Sequence, residues 1–79
     1  MYRARWQIWE DILAATTKGA RKTEIMYHAS VNGDQNKRYL RELIKLRCIV
    51  CRGTRFKATG KGKRLMNLVR ELQQLAPGV

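Results

Sequence analysis

The sequence has few acidic residues and no long apolar run. Six Asp and Glu stand against 17 Lys and Arg among 79 residues, which gives a formal net charge of +11. No stretch approaches the roughly 20 apolar residues that span a bilayer, and Glu10 and Asp11 interrupt the segment where a signal peptide needs an unbroken apolar core. We therefore expect a cytoplasmic protein with no membrane segment, whose positive field attracts polyanions.

Cysteine and histidine are also scarce. Cys48 and Cys51 are too few for the disulfide framework of a small secreted domain. Only His28 could join them as a metal ligand, whereas a structural zinc site needs four ligands. No nucleophile or paired acid accompanies His28 at a recognisable spacing. The sequence therefore predicts no enzyme, no metal and no cofactor, shows no evident small-molecule site, and makes both cysteines small core residues.

The chain is predicted to form one domain over residues 1–79, because no linker, repeat or low-complexity tract divides it. Apolar residues recur at helical spacing in three segments, which predicts helices over Arg5–Thr17, about Arg21–His28 and Asn32–Arg47. Gly19 ends the first helix, and a Ser-Val-Asn turn follows the second. Asn32 and Gln35 are spaced as a capping box at the start of the third helix.

The third predicted helix has two different faces. Its inward arc is apolar and consists of Tyr39, Leu40, Leu43, Ile44 and Leu46. Its outward arc is charged and consists of Asp34, Lys37, Arg38, Arg41 and Lys45. In the first two helices the residues expected to face the core are Ile8, Trp9, Ile12, Leu13, Ile25, Met26 and Ala29.

After the third helix the apolar period changes to two, which predicts a β-hairpin with a Gly53-Thr54 turn. The expected cross-strand pairs are Arg52 with Arg55, Cys51 with Phe56, Val50 with Lys57 and Ile49 with Ala58. Alternation then turns Ile49, Cys51, Phe56 and Ala58 inward and Arg52, Arg55 and Lys57 outward. Thr59 can cap a closing helix from about Gly60 to Leu75, ended by Ala-Pro-Gly-Val.

Three helices, a hairpin and a closing helix make an α+β, mostly helical fold with the layout of a winged helix-turn-helix. Between Lys37 and Arg64 there are eleven basic residues and one acid, Glu42. These cations lie where such a fold meets double-stranded DNA, which predicts that the third helix enters the major groove.

The predicted DNA contacts fall into three groups. The recognition helix contributes Asp34, Lys37, Arg38, Arg41 and Lys45, although an acid in the first turn, such as Asp34, more often complements the helix dipole than reads cytosine. The wing, on the backbone or in the minor groove, contributes Arg52, Thr54, Arg55 and Lys57. Phosphate contacts are expected from Arg21, Lys22, Thr23 and Lys61.

Several short motifs carry a resemblance to a known family. They are KTEIMYHA over 22–29, RYL..L..L..I from Arg38, a single glycine at the hairpin tip, an aromatic residue at Phe56, and T.KG from Thr59. Together they resemble the winged-helix domain of small archaeal DNA-binding proteins, a group that includes dimeric chromatin proteins and predicted transcriptional regulators. The resemblance implies an archaeal transcriptional regulator or nucleoid-associated protein that forms a homodimer through its last helix.

The closing helix, residues 60–76, is the candidate dimerisation element. A three-four-three spacing, typical of a coiled-coil seam, relates Leu65, Leu68, Leu72 and Leu75. Met66 and Val69 lie on a neighbouring line that can pack on the domain. The seam is barely longer than one heptad, so a dimer needs further burial, for which Trp6 and Tyr2 are candidates. Alternatively, Leu65 and Leu68 complete a monomer core while Leu72 and Leu75 fray.

Other functions remain open at this stage. The basic surface could serve an RNA-binding module or a protein-interaction domain with an acidic partner, or could be only a solvated face. Trp6 and Trp9 could stack on bases as in single-strand binders, but Trp9 shares the apolar arc of the first helix, which favours core packing. The helix-plus-hairpin distribution of the cations favours duplex DNA over these alternatives.

Overall fold

The computed structural model describes residues 4–75, which form four helices and three short strands. In chain order these elements are α1 (Arg5–Thr16), β1 (Ala20–Arg21), α2 (Lys22–Ala29), α3 (Gly33–Lys45), β2 (Ile49–Arg52), β3 (Arg55–Ala58) and α4 (Gly60–Leu75). The strands form one antiparallel sheet in the order β1-β3-β2. Tyr2 and the Ala-Pro-Gly-Val segment lie outside the described residues. No helix within residues 4–75 is long and apolar enough to cross a membrane.

Local polar contacts set the ends of α2 and α3. The side chain of Asn32 accepts a hydrogen bond from the Gln35 amide at 2.8 Å, and Gln35 Oε1 accepts one from the Asn32 amide at 3.2 Å. The predicted capping box is therefore confirmed. Ser30 ends α2 in the left-handed region (φ 55°), where its amide donates to the Tyr27 carbonyl at 3.3 Å. This tight turn sets the angle between α2 and α3.

The hairpin has the predicted register, but the sheet contains a strand that the sequence did not reveal. All four expected pairs between β2 and β3 are present. In addition, Ala20 pairs with Phe56 and Arg21 with Arg55. The helix predicted from about Arg21 to His28 is therefore confirmed with a shift of one residue: Arg21 is extended (φ −80°, ψ 158°) and α2 begins at Lys22. A strand of two residues is too short to produce a period in the sequence.

The core lies between α1, α2, α3 and the inner face of the sheet, and α4 closes it. Its most deeply buried side chains are Ile12, Leu13, Ile25, Leu43 and Ile49. Met66 and Val69 of α4 are also buried, as predicted. Trp9 is half-buried against this core, while its indole N–H donates to Glu42 Oε2 at 3.1 Å.

Three predicted core positions are wrong. Ile44 and Leu46 are 40% and 41% exposed, although Leu43 before them and Cys48 after them are buried. Cys51 is exposed near the hairpin tip, although it is on the inner face by alternation, whereas Cys48 is buried. Strand alternation decides which side a residue takes but not how far the core reaches along the hairpin.

The start of α4 packs closely on the segment that follows α3. Thr59 Oγ1 donates to the Arg47 carbonyl at 2.7 Å and accepts from the Gly62 amide at 3.1 Å, so the predicted cap is confirmed. The Thr59 amide donates to the Cys48 carbonyl at 2.9 Å. A Cβ on Gly62 would overlap that same carbonyl oxygen and touch Leu13, whereas one on Gly60 would meet nothing within 4 Å. Gly62 therefore permits the close contact between helix and backbone.

We expect Gly62→Ala to lower the free energy of unfolding by about 1–3 kcal/mol, because the added methyl must push α4 away from the Cys48 backbone. Gly60→Ala is the matched control and should change it by less than about 1 kcal/mol, because the site is open. Urea unfolding followed by circular dichroism measures both values. Equal stability of the two variants would contradict this account of the α4 junction.

Candidate nucleic-acid interface

A buried amide fixes α3 against the start of α2. Asn36 is fully buried, and its Nδ2 donates to the Lys22 carbonyl at 3.1 Å. Its Oδ1 has no hydrogen-bond partner in the described part of the chain. Asn36 is not among the residues predicted from the sequence to face inward, although its spacing of four and seven from Leu40 and Leu43 places it on the inward side of α3. The contact holds Lys22 close to the charged face of the helix.

The outward face of α3 carries the predicted charged residues in exposed positions. They are Asp34, Lys37, Arg38, Arg41 and Lys45. The Arg38 guanidinium lies 5.2 Å from the centroid of the Tyr39 ring, close enough for a cation–π contact. Glu42, the one acid in the second half of the helix, is turned toward Trp9 instead. The cations of α3 form no salt bridge with a described residue, so their charge is not neutralised locally.

Strand β1 adds a further cation, Arg21, to the outer face of the sheet. Because Arg21 is opposite Arg55 and Arg55 is opposite Arg52, the three side chains project from the same face in one row, which we call the arginine row. All three are exposed. Like charges directly opposite each other destabilise a sheet, and no described carboxylate forms a salt bridge with the row. A surface of this kind favours an anionic partner.

The remaining wing residues are also exposed. Gly53 turns the chain with φ 61°, and Thr54 follows it at the tip. Lys57 pairs with Val50 and projects from the same face as the arginine row. The predicted wing residues therefore share the outer surface of the hairpin.

An open cleft of about 240 Å³ joins the helix face to the sheet. Its lining combines cations from α2 and α3 with apolar side chains, namely Lys22, Lys37, Leu40, Arg41, Ile44 and Phe56. Arg21 of the arginine row directly precedes Lys22 in the chain, but Phe56, which lines the cleft, faces the opposite side of the sheet from the row. The cleft thus groups the charged face of α3 with the start of α2, and the arginine row lies on the outer face of the sheet. Thr23 is exposed in the first turn of α2, beside these cations.

Lys61 lies elsewhere. It lines a second open groove of about 290 Å³, together with Trp9, Leu46, Cys48, Arg64, Leu65 and Leu68. This groove shares no residue with the cleft beside α3. Among the four predicted phosphate contacts, Lys61 is therefore not grouped with Arg21, Lys22 and Thr23.

The two cysteines differ in burial: Cys48 is buried and Cys51 is exposed. Burial raises the pKa of the Cys48 thiol, an effect that Lys61 partly offsets, so this thiol stays protonated at neutral pH. Cys51 Sγ lies 3.5 Å from the Gly53 carbonyl oxygen at the exposed tip. His28 is exposed at the end of α2. Within residues 4–75 no group of three or more His, Cys, Asp or Glu side chains is arranged to hold a metal ion.

The leucines of the predicted seam lie along the outer side of α4. Leu65 is half-buried, whereas Leu68, Leu72 and Leu75 are 55%, 43% and 85% exposed. Trp6 is half-buried on α1. Elsewhere along α4, Arg70 forms a salt bridge with Glu10 of α1, with 3.4 Å between Nε and Oε1.

Comparison with known proteins agrees with this architecture. A sequence model of the winged helix-turn-helix family matches residues 2–77. Among solved structures, the chain is similar to Sso10a-2, described as a DNA-binding protein from Sulfolobus solfataricus, with 27% sequence identity and a TM-score of 0.83. The match covers 92% of this chain and 81% of that one. No curated protein sequence matches the chain. The resemblance inferred from the sequence motifs is therefore confirmed.

Proposed function

The chain belongs to the winged helix-turn-helix family, and we propose that it binds double-stranded DNA as a transcriptional regulator or nucleoid-associated protein. The observation that carries the proposal is the concentration of exposed cations on α3, at Lys22 and in the arginine row, none of which forms a salt bridge with a described residue. Duplex DNA presents about one negative charge per 1.7 Å of its axis, so such a surface gains affinity by releasing counterions. This role would place the protein on the nucleoid in the cytoplasm.

Each part of the surface has a distinct task in this proposal. α3 enters the major groove, where Lys37, Arg38 and Arg41 reach base edges and Lys45 adds charge farther along the helix. The wing residues Arg52, Thr54, Arg55 and Lys57 grip the backbone or the minor groove. Arg21, Lys22 and Thr23, at the start of α2, hold a phosphate, which positions the domain without reading sequence. Asp34, in the first turn of α3, chiefly complements the helix dipole.

Similarity to Sso10a-2, which is described as a DNA-binding protein, supports this function over the alternatives. The arginine row also supports it, because a cross-strand row of like charges weakens the sheet unless an anion compensates it. A protein partner with an acidic surface would also compensate charge, but the combination of an exposed helix face and a wing matches the footprint of a duplex.

A competition experiment tests the proposal directly. A fluorescein-labelled DNA duplex is bound by the protein and displaced by DNA duplex, RNA duplex or single-stranded DNA of the same length at the same salt concentration. We expect the DNA duplex to displace the probe at the lowest concentration, with affinity falling steeply as salt is added. Stronger competition by RNA or by the single strand would overturn the proposal.

Arg41→Ala and Lys57→Ala should have different effects on DNA binding, the first on sequence preference and the second on overall affinity. Loss of Arg41 should weaken the free energy of binding to a selected duplex by about 1–3 kcal/mol and reduce the preference for particular base pairs, because a base contact is removed. Loss of Lys57 should weaken all duplexes alike and reduce the salt slope by about one, because a phosphate contact is removed. Titrations of selected and random duplexes over a range of salt concentrations measure both effects.

Arg70→Ala is the matched control for these substitutions. It removes one positive charge from the α1–α4 side, away from the proposed surface, where Arg70 pairs with Glu10. This variant should keep the preference for the selected duplex. If Arg41→Ala weakened selected and random duplexes equally, the assignment of base reading to α3 would be wrong.

We also propose that the protein is a homodimer through α4. Leu68, Leu72 and Leu75 leave an exposed apolar line that a small monomer does not bury. Leu65 and Leu68 also border the groove that contains Trp9 and Leu46, so a second copy on this side could cover more surface than the seam alone. A two-fold dimer would present two recognition helices to one duplex.

Sedimentation equilibrium at micromolar concentration tests the dimer. The wild type should sediment as a dimer, and Leu68→Glu combined with Leu72→Glu should sediment as a monomer, because two charges would have to be buried in the seam. Asn67→Glu combined with Gln74→Glu is the control, since it adds the same charge to exposed positions off the seam. A monomeric wild type, or a seam variant that stays dimeric, would reject this interface.

A further inference from the structure

One exposed apolar side chain lies within the basic face of α3. Ile44 follows Lys37 by seven residues and Arg41 by three, and residues seven apart on a helix differ by only about 20° in direction. The three side chains therefore lie along one side of α3, with Ile44 nearest the C-terminal end. This explains why Ile44 is exposed rather than packed in the core as its apolar character suggests.

The surroundings of Ile44 combine two kinds of chemistry. Together with Leu40 and Phe56 it forms an apolar floor in the cleft beside α3, and the cations Lys22 and Arg41 border that floor. Water solvates an exposed isoleucine poorly, so covering this floor by a ligand is favourable. The ligand must bring an apolar group and negative charge at the same time.

Duplex DNA offers that combination in one place. Phosphates flank the major groove, and thymine is the base that presents a methyl group, on C5, at the groove edge. Guanine, cytosine and adenine carry no methyl group there. The cations that border the cleft suit the phosphates, and the apolar floor suits the methyl group.

We propose that Ile44 reads thymine by covering its C5 methyl group, an inference that rests on the proposed binding of duplex DNA. Arg41 and Ile44 are separated by three residues, or about 4.5 Å along the helix axis, which is close to the rise of about 3.4 Å between base pairs. The thymine is therefore within one or two base pairs of the base that Arg41 contacts. Ile44 thus extends the reading surface beyond the charged residues.

Uracil substitution isolates the methyl group. In a duplex selected from a random pool, each thymine is replaced in turn by uracil, which removes the methyl group and keeps every hydrogen-bonding atom of the base. For the wild type we expect one position, beside the base read by Arg41, at which uracil weakens binding about fourfold, as burial of one methyl group predicts. Fluorescence anisotropy at fixed salt measures the dissociation constants.

Variants of Ile44 link the effect to this side chain. Ile44→Ala should bind the uracil and thymine duplexes equally, and Ile44→Val, which keeps both branches at Cβ, should retain most of the discrimination. Tyr27→Ala is the control, because Tyr27 is an exposed apolar residue on α2 that lines neither the cleft beside α3 nor the groove with Trp9. It should show the wild-type uracil effect. Circular dichroism establishes that each variant is folded before it is titrated.

The outcomes separate this inference from the function on which it rests. Absence of duplex binding overturns the proposed function and the inference together. Duplex binding with no uracil-sensitive position beside the Arg41 contact, or a selected site without thymine there, overturns the inference alone. Discrimination that survives in Ile44→Ala also overturns it, because another side chain would then cover the methyl group.

Discussion

The buried hydrogen bond from Asn36 to the Lys22 carbonyl is the contact on which the arrangement of the basic surface depends. It joins the first turn of α3 to Lys22, the first residue of α2, which directly follows β1. A single hydrogen bond contributes only about 1 kcal/mol to stability. Its structural effect is larger, because α3 carries the charged face while the chain around Lys22 carries the strand that pairs with the wing. One side chain thus relates two parts of the surface that are far apart in sequence.

A second constraint comes from the junction at which the base of the hairpin and the start of α4 contact the Cys48 backbone. The Cys48 carbonyl accepts a hydrogen bond from the Thr59 amide, and Gly62 lets α4 approach the same carbonyl. The hairpin therefore leaves and re-enters the domain at one point, with Ile49 and Ala58 buried at its base. The tip extends from this point into solvent. A wing anchored at its base and exposed at its tip can place its cations beside a groove without contributing much to the core.

Charge and stability oppose each other across this surface. Cross-strand arginines repel, and three of the six carboxylates make other contacts: Glu24 accepts a hydrogen bond from the Arg21 amide, Glu10 pairs with Arg70, and Glu42 accepts one from Trp9. The cations of α3 and of the arginine row form no salt bridge with a described residue, which leaves them available to a polyanion. A chain of this size has a modest core, so its helix caps and the tight α4 junction carry a correspondingly larger share of its stability.

The sequence by itself determined the order of the helices, the capping box, the register of β2 and β3, and the charged face of α3, because each of these follows from a period or a cap within one short segment. Only the tertiary structure decided the rest. A two-residue strand has no detectable period, so the pairing of Arg21 with Arg55 emerged only when the chain was folded. Likewise, helical periodicity gives the direction of a side chain but not whether another element covers it, so it predicts Ile44 and Leu46 in the interior although they are 40% and 41% exposed. The burial of Asn36, and the grouping of Lys22 with α3 in one cleft, depend on contacts between segments that no local pattern encodes.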